Sequence, residues 1–203
     1  MGPDAASAAL SEARAMGADR AVLINDRALA ESDTLVTARV LAGAVRRLKP
    51  FDLLFFGTRT ADSDTGQVGP QTATAMTLPF VSGVSHMVLS QDRWQVQRVM
   101  DDWQEHWTLT PPAAVTIDAR AFDPRPLHLA AIGQVYAQRS VETWKLADVG
   151  LAENAVGLAG SPTRVAALKT IKRTRACEFL DGEPKEQLRS LVERLADKGM
   201  LTS

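Results

Sequence analysis

The spacing of apolar residues predicts alternating helices and strands in the first part of the chain. Residues 5–16 predict a helix, because their apolar positions recur every three or four residues. The apolar run at residues 21–24 predicts a short buried strand, and a second helix is expected to begin at a cap formed by Ser32 or Asp33. Residues 51–56 are too uniformly apolar for a half-exposed strand, which indicates a strand buried on both faces.

The remainder of the chain continues this order and then changes. The pattern predicts in turn a helix, a strand, a hairpin and a buried strand, at residues 72–78, 80–89, 94–109 and 113–117. Residues 123–140 are expected to be irregular, since two prolines restrict them, and residues 184–198 carry the apolar stripe of an amphipathic helix. Helices and strands in alternation are typical of an α/β fold with a doubly wound, mainly parallel sheet.

Composition excludes several classes of function. The 203 residues include 23 Lys plus Arg against 24 Asp plus Glu, so no basic excess indicates nucleic-acid binding. A single cysteine, Cys177, cannot form an internal disulfide, and the three histidines have no metal-ligand spacing, so we expect no metal site. No apolar run approaches the roughly 20 residues that span a bilayer. The sequence therefore predicts a soluble protein of a reducing, cytoplasmic compartment, without membrane insertion.

Residues 62–71 carry the strongest chemical signal of the chain. They read DSDTGQVGPQ, follow the apolar strand that ends at Gly57, and precede the helix predicted at 72–78. A strand, a glycine-containing loop and a helix start together direct free backbone N–H groups and the positive end of the helix dipole at one place. Within the loop, Thr65 and Gln67 can donate hydrogen bonds to a phosphate, and two glycines let an anion approach the backbone.

An ordinary helix start is the alternative interpretation of the same loop. Asp64 or Thr65 can serve as a helix cap, and the glycines match neither the dinucleotide fingerprint nor the Walker A pattern. Asp62 and Asp64 would also repel an anion unless their carboxylates point away. From the residues alone, both interpretations stay open.

The decapeptide resembles the nucleotide-binding signature of the electron transfer flavoprotein beta-subunit family. Three further segments resemble that family in the same order: residues 15–21 (AMGADRA), 144–150 (WKLADVG) and 156–165 (VGLAGSPTRV). The resemblance extends from about Gly2 to the C-terminus. It implies a Rossmann-like sheet of the adenine-nucleotide-binding type.

The resemblance also implies a function. Beta subunits of this family bind AMP, or a second FAD in electron-bifurcating members, and pair with an alpha subunit that holds the working FAD. They are electron carriers rather than enzymes, and pass electrons from dehydrogenases to a membrane or soluble acceptor. The residues implied around the nucleotide are Gly57, Asp64, Thr65, Gly66, Gln67, Val68, Gly69 and Thr72.

The family pattern divides the chain into a nucleotide-binding domain, residues 1–145, and a C-terminal arm and helix, residues 146–203, that dock on the alpha subunit. A recognition loop for client dehydrogenases corresponds to residues 129–139, where Leu129 or Ile132 either inserts into a client pocket or packs internally. Family members begin with further strands before the position of Gly2, which predicts an N-terminally truncated chain with an exposed sheet edge. The arm motif at 160–163 fits either a cofactor-adjacent loop or a turn.

Two other functions compete with the electron carrier. A non-redox interaction subunit would keep the docking arm while its degraded nucleotide site binds nothing. An ATP-using enzyme of the same superfamily would place a catalytic set near Arg59, Asp62 and Asp64, although the loop lacks a complete phosphate-binding motif.

Overall fold

The computed structural model describes residues 1–60, 63–138, 141–167 and 177–201. These ranges contain seven strands and six α-helices. In chain order they are α1 (Ala6–Ala15), β1 (Ala21–Ile24), α2 (Thr34–Arg47), β2 (Leu53–Gly57), α3 (Val68–Ala75), β3 (Phe80–Ser90), β4 (Arg93–Met100), β5 (Trp103–Leu109), β6 (Ala113–Ile117), α4 (Leu129–Gln138), β7 (Val141–Trp144), α5 (Gly157–Gly160) and α6 (Pro184–Asp197).

The strands form two sheets. β1 pairs in parallel with β7, and the other strands form a sheet of order β2-β6-β3-β4-β5. β6 pairs in parallel with both β2 and β3, whereas β4 and β5 continue from β3 as antiparallel strands. Three of the five described pairings are therefore parallel. The predicted α/β fold with a mainly parallel, Rossmann-like sheet is confirmed, and the hairpin predicted at 94–109 forms β4 and β5.

Two hydrophobic clusters form the core. One joins β1, α2 and the segment after β7, with Ile24, Leu29, Val36, Val40, Ala44, Trp144, Leu146, Val149 and Val156. The other joins β3 to β6, with Val81, Val84, Val96, Leu109, Ala113 and Val115. α2 contributes Val36, Val40 and Ala44, which recur every four residues, to the first cluster, and it also buries Ala38 and Ala42 on its opposite face. Burial of each valine side chain stabilises the fold by about 1.5–3 kcal/mol.

The strand predicted at 51–56 forms as β2, but the prediction that it is buried on both faces is wrong, because every residue of β2 is at least partly exposed and Phe55 is 56% exposed. Two further predicted segments differ from the structure in their secondary structure. The irregular segment predicted at 123–140 is wrong in its second half, because residues 129–138 form α4, which packs on α1. The helix predicted at 72–78 begins earlier, at Val68, and neither Asp64 nor Thr65 caps it. Asp64 and Gly66 have φ of 51° and 62°, a left-handed conformation that keeps the chain out of the helix until Gln67.

The cap predicted for α2 is confirmed at Asp33. Its carboxylate accepts a hydrogen bond from the backbone N–H of Val36 at 3.0 Å. This contact satisfies one of the unpaired donors in the first turn of the helix.

The described chain separates into two compact units, residues 1–164 and 165–203. Residues 146–164 belong to the first unit, where Leu146, Val149 and Val156 are buried in the cluster around α2. In the second unit, the predicted amphipathic helix is confirmed as α6. Nothing tests the docking role predicted for residues 146–203, so the boundary at 145/146 stays a prediction.

Candidate functional site: a cleft at the start of α3

A cleft of about 240 Å³ lies at the carboxyl ends of β2 and β6, next to the start of α3. It is lined by Thr58, Arg59, Thr65, Gly66, Pro70, Phe80, Ser82 and Thr116. Because the two strands run in parallel, the segments that follow them emerge at the same edge of the sheet. This edge is where α/β proteins commonly bind ligands.

The described residues that line the cleft include one cationic side chain and no acidic one. Arg59 is the charged member of the lining, and its guanidinium contacts the Asp64 carboxylate at 3.1 Å. Both side chains are about two-thirds exposed, so this ion pair contributes little stability. The first turn of α3 adds unpaired backbone N–H groups and a positive dipole end.

Two of the predicted residues, Thr65 and Gly66, line this cleft. Gly66 has φ of 62°, and an added Cβ would lie 3.0 Å from the carbonyl oxygen of Thr58. A side chain at this position would therefore meet both backbone strain and a close backbone contact. The glycine lets the loop fold back against the end of β2.

The remaining predicted residues surround the start of α3. Gly57 ends β2 and is exposed, and Val68 is the first residue of α3. Gln67 precedes the helix, and its side-chain oxygen accepts a hydrogen bond from the Thr34 hydroxyl at 2.8 Å. Asp64 contacts Arg59, whereas its sequence neighbour Asp62 lies outside the described residues.

Gly69 lies on the side of α3 that packs against β2 and β6. It is buried, and an added Cβ would lie 3.0 Å from Cγ2 of Thr116 and 3.2 Å from Cβ of Phe56. The absence of a side chain therefore lets α3 approach β2 and β6 closely, which brings the first turn of the helix to the cleft.

Thr72 is fully buried, and its hydroxyl donates to the carbonyl oxygen of Val68 at 2.7 Å. This placement gives it a packing position one turn into α3. Nothing tests the cofactor roles of the eight residues from Gly57 to Thr72, so their roles stay predictions.

Sequence reasoning missed the strand residues of the cleft: Phe80, Ser82 and Thr116. The signal that could have found the last two is a hydroxyl group within an otherwise apolar strand. Thr116 is 3% exposed, and its hydroxyl oxygen accepts a hydrogen bond from the backbone N–H of Gly83 at 2.8 Å. The Ser82 hydroxyl accepts from the guanidinium of Arg98 at 3.0 Å.

Asp118, which follows β6, forms an ion pair with Arg120. Arg120 contacts Asp118 through two side-chain hydrogen bonds of 3.0 and 2.9 Å. These side-chain bonds have the largest influence on the pKa of Asp118, and a backbone hydrogen bond from Arg120 has the next largest. Together they hold that pKa below its ordinary value. The acid is therefore ionised and paired at neutral pH, which limits its repulsion of an anion at the same sheet edge.

A second and larger cavity, of about 410 Å³, lies at the carboxyl end of β1. Its lining includes Gly2, Pro3, Asn25, Asp26 and Arg27. Both oxygens of the Asp26 carboxylate accept backbone hydrogen bonds, from Leu146 and Ala28 at 3.1 Å each. These bonds, with that from Leu146 the larger influence, hold the pKa of Asp26 below its ordinary value.

The two residues predicted to reach a client protein lie on α4. Leu129 is 85% exposed at the start of the helix, whereas Ile132 is half-buried. The geometry makes Leu129 the more accessible of the pair, and its docking role stays a prediction.

No helix within the described ranges is both long enough and apolar enough to cross a membrane. The described His, Cys, Asp and Glu side chains form no group of three that could hold a metal ion.

The α/β fold and the loop before α3 agree with a match to a known family: the model described as the electron transfer flavoprotein domain matches residues 1–149. The chain belongs to the electron transfer flavoprotein beta-subunit family, since relatives named as beta subunits are 33–37% identical to it over almost its whole length. Its relatives in that family extend the match over almost the whole chain.

Three relatives indicate the range of the family. The electron transfer flavoprotein subunit beta of Thermoanaerobacterium thermosaccharolyticum is 37% identical over 201 residues, 99% of this chain and 77% of the relative. Subunit CarD of the caffeyl-CoA reductase-Etf complex of Acetobacterium woodii is 34% identical over 99% of this chain and 77% of its own length. Protein FixA of Azotobacter vinelandii is 31% identical, with coverage of 96% and 73%. The resemblance in the sequence motifs is thereby confirmed.

Proposed function

We propose that this chain is the beta subunit of a heterodimeric electron transfer flavoprotein and binds AMP, or a second FAD, at the start of α3. The observation that carries the nucleotide site is the cleft at the ends of β2 and β6, in which Arg59, Thr65 and Gly66 meet the first turn of α3. Family membership supports the pairing with an alpha subunit, because the relative from Acetobacterium woodii is named as a subunit of a caffeyl-CoA reductase-Etf complex.

The residues of the cleft fit the phosphate end of a nucleotide. The cleft has a volume of about 240 Å³, below the roughly 300–1,000 Å³ of pockets that enclose a whole drug-sized ligand. Arg59 supplies positive charge and the Thr65 hydroxyl supplies a donor, and Gly66 allows the loop to lie against the Thr58 carbonyl beside them. In this proposal Gly57 and Val68 contribute backbone groups, and the Gln67 amide contributes a side-chain donor.

The role of this subunit is to bind and orient rather than to catalyse. The flavin supplies the redox chemistry when it is bound. The chain positions the nucleotide, completes the heterodimer through its C-terminal arm, and presents Leu129 to a client dehydrogenase, from which electrons pass to a membrane or soluble acceptor. The proposed compartment is the cytoplasm.

The test is the ligand content of the heterodimer. The chain would be co-expressed with an alpha subunit, the complex purified and denatured, and the released AMP and FAD counted by chromatography and mass. One AMP and one FAD per heterodimer is the expected result for an ordinary carrier, and two FAD the result for a bifurcating one. FAD alone would favour the non-redox interaction subunit, and failure to form a flavin-containing heterodimer would contradict the proposal.

A matched pair of variants locates the site. Thr65→Val removes a hydroxyl that lines the cleft, whereas Thr74→Val removes an exposed hydroxyl of α3 that donates to Pro70 at 2.8 Å. We expect Thr65→Val to bind the nucleotide about 2–13-fold more weakly, the equivalent of one hydrogen bond, and Thr74→Val to bind it unchanged. Equal losses in both variants would indicate a general effect on α3 rather than a ligand contact.

A further inference from the structure

Thr34 and Gln67 link two segments that follow different strands. Thr34 is the first residue of α2, after β1, and Gln67 immediately precedes α3, after β2. The Thr34 hydroxyl donates to Oε1 of Gln67 at 2.8 Å. The two ends of a glutamine amide differ, since the oxygen only accepts and the nitrogen only donates. Because Thr34 holds the oxygen, the groups that the Gln67 side chain can offer a ligand are the two N–H donors of its amide nitrogen.

The position of Thr34 is itself held by its neighbour. Asp33 caps α2 with one carboxylate oxygen, and the other accepts hydrogen bonds from the backbone N–H and the hydroxyl of Thr163, at 3.2 and 2.8 Å. The backbone N–H of Asp33 donates to the Ser161 hydroxyl at 2.9 Å. Residues 161–163 are therefore attached to the residue next to Thr34 by three hydrogen bonds.

The ionisation of Asp33 agrees with this arrangement. Burial is the largest single influence and raises its pKa, but the hydrogen bonds from Val36, Thr163 and Leu35 together outweigh burial. The pKa of Asp33 is consequently lower than its ordinary value. At neutral pH the carboxylate is ionised, and an ionised acceptor forms the stronger hydrogen bonds.

We propose that Thr34 is a positioning residue for the nucleotide site: it orients the Gln67 amide so that its N–H donors face the ligand. Asp33, with Ser161 and Thr163, holds Thr34 in place. This inference rests on the proposed nucleotide-binding function. It assigns the Gly160-Ser161-Pro162-Thr163 motif an indirect effect on the site, through Asp33 rather than through contact with the ligand.

The first test compares two substitutions of Thr34 in the heterodimer. Thr34→Val keeps the shape and removes the hydroxyl, whereas Thr34→Ser keeps the hydroxyl. After removal of bound nucleotide, AMP and, separately, FAD would be titrated by calorimetry. We expect Thr34→Val to weaken binding about 2–13-fold, the equivalent of one net hydrogen bond, and Thr34→Ser to bind within about twofold of the unaltered complex. Thr74→Val on the exposed side of α3 is the matched control.

The second test is a double-mutant cycle with Gln67→Ala. If Thr34 acts through Gln67, Thr34→Val has no further effect on affinity once Gln67 is replaced. A purely structural role of Thr34 would give additive losses in the two backgrounds and a parallel loss of thermal stability. Thr163→Val is expected to weaken binding less than Thr34→Val, and to have no effect when combined with it.

The outcomes separate the two proposals. If the unaltered heterodimer binds neither AMP nor FAD, the proposed function fails, and the inference about Thr34 fails with it. If it binds nucleotide and Thr34→Val binds equally well or better, the inference alone is overturned. Additive effects of Thr34→Val and Gln67→Ala overturn it as well, because Thr34 then acts by another route.

Discussion

Replacement of Gly157 by alanine tests how closely the segment after β7 packs against the segment after β1 within the first unit. Gly157 has φ of 60°, and an added Cβ would lie 2.5 Å from the carbonyl oxygen of Ala28 and 3.1 Å from that of Ala30. Its backbone N–H donates to the hydroxyl of Ser32 at 3.1 Å, so the residue is held where the contact is closest. The left-handed conformation costs an alanine about 1–2 kcal/mol, and overpacking against fixed backbone adds about 1–3 kcal/mol.

Gly150→Ala is the matched control for this prediction. Gly150 has φ of 71°, but nothing lies within 4 Å of an added Cβ, so the control retains the strain and omits the clash. We therefore expect Gly157→Ala to reduce the free energy of unfolding by about 1–3 kcal/mol more than Gly150→Ala does.

Chemical denaturation followed by circular dichroism measures this difference as a free energy, and thermal denaturation measures it as a change in Tm. For a chain of this length, each kcal/mol corresponds to a change in Tm of about 2–4 °C, so the two variants should differ in Tm by about 2–12 °C. Equal losses would refute the reasoning, since they would mean that the Ala28 segment moves away from residue 157 without cost.

Three further predictions concern the core, the cap of α2 and the arm. Val40→Ala, at a fully buried position, should lower the free energy of unfolding by about 2 kcal/mol in urea titrations. Asp33→Asn should be less stable than the unaltered chain at pH 7. Because the folded pKa of Asp33 is lowered, the stability that its carboxylate contributes is present above the ordinary pKa of about 4 and is lost as the pH falls through the folded pKa. The urea midpoints of the two proteins should therefore converge in acid. Leu188 is 62% exposed on α6, so Leu188→Glu should change the free energy of unfolding of the isolated chain by less than about 0.5 kcal/mol. The same substitution should weaken the heterodimer measurably in ultracentrifugation. An unchanged heterodimer would exclude this position from the interface.

Local sequence pattern predicted most of the elements. The strands at 21–24 and 113–117 are placed to the residue, and the hairpin and α6 lie where periodicity and turn residues indicated. These elements follow from the order of apolar and polar residues over a few positions. The exceptions are α4, where two prolines before residue 129 suggested irregular chain throughout, and α3, whose start depends on the left-handed conformations of Asp64 and Gly66.

The candidate site shows where local pattern is insufficient. The contiguous loop from Gly57 to Gly69 could be selected from the sequence, because its residue types and order carry the family resemblance. Ser82 and Thr116 enter the cleft only because β3 and β6 pair beside β2. The contact between Thr34 and Gln67 spans 33 residues and depends on the packing of α2 against α3.

The sequence by itself determined the α/β class, the positions of most elements and the loop that resembles a nucleotide-binding signature. Only the tertiary structure decided that β1 pairs with β7 across more than 100 residues and that residues 161–163 attach to the start of α2. The physical reason is that periodicity and residue type act between near neighbours, whereas these contacts form only after distant segments have packed into one core.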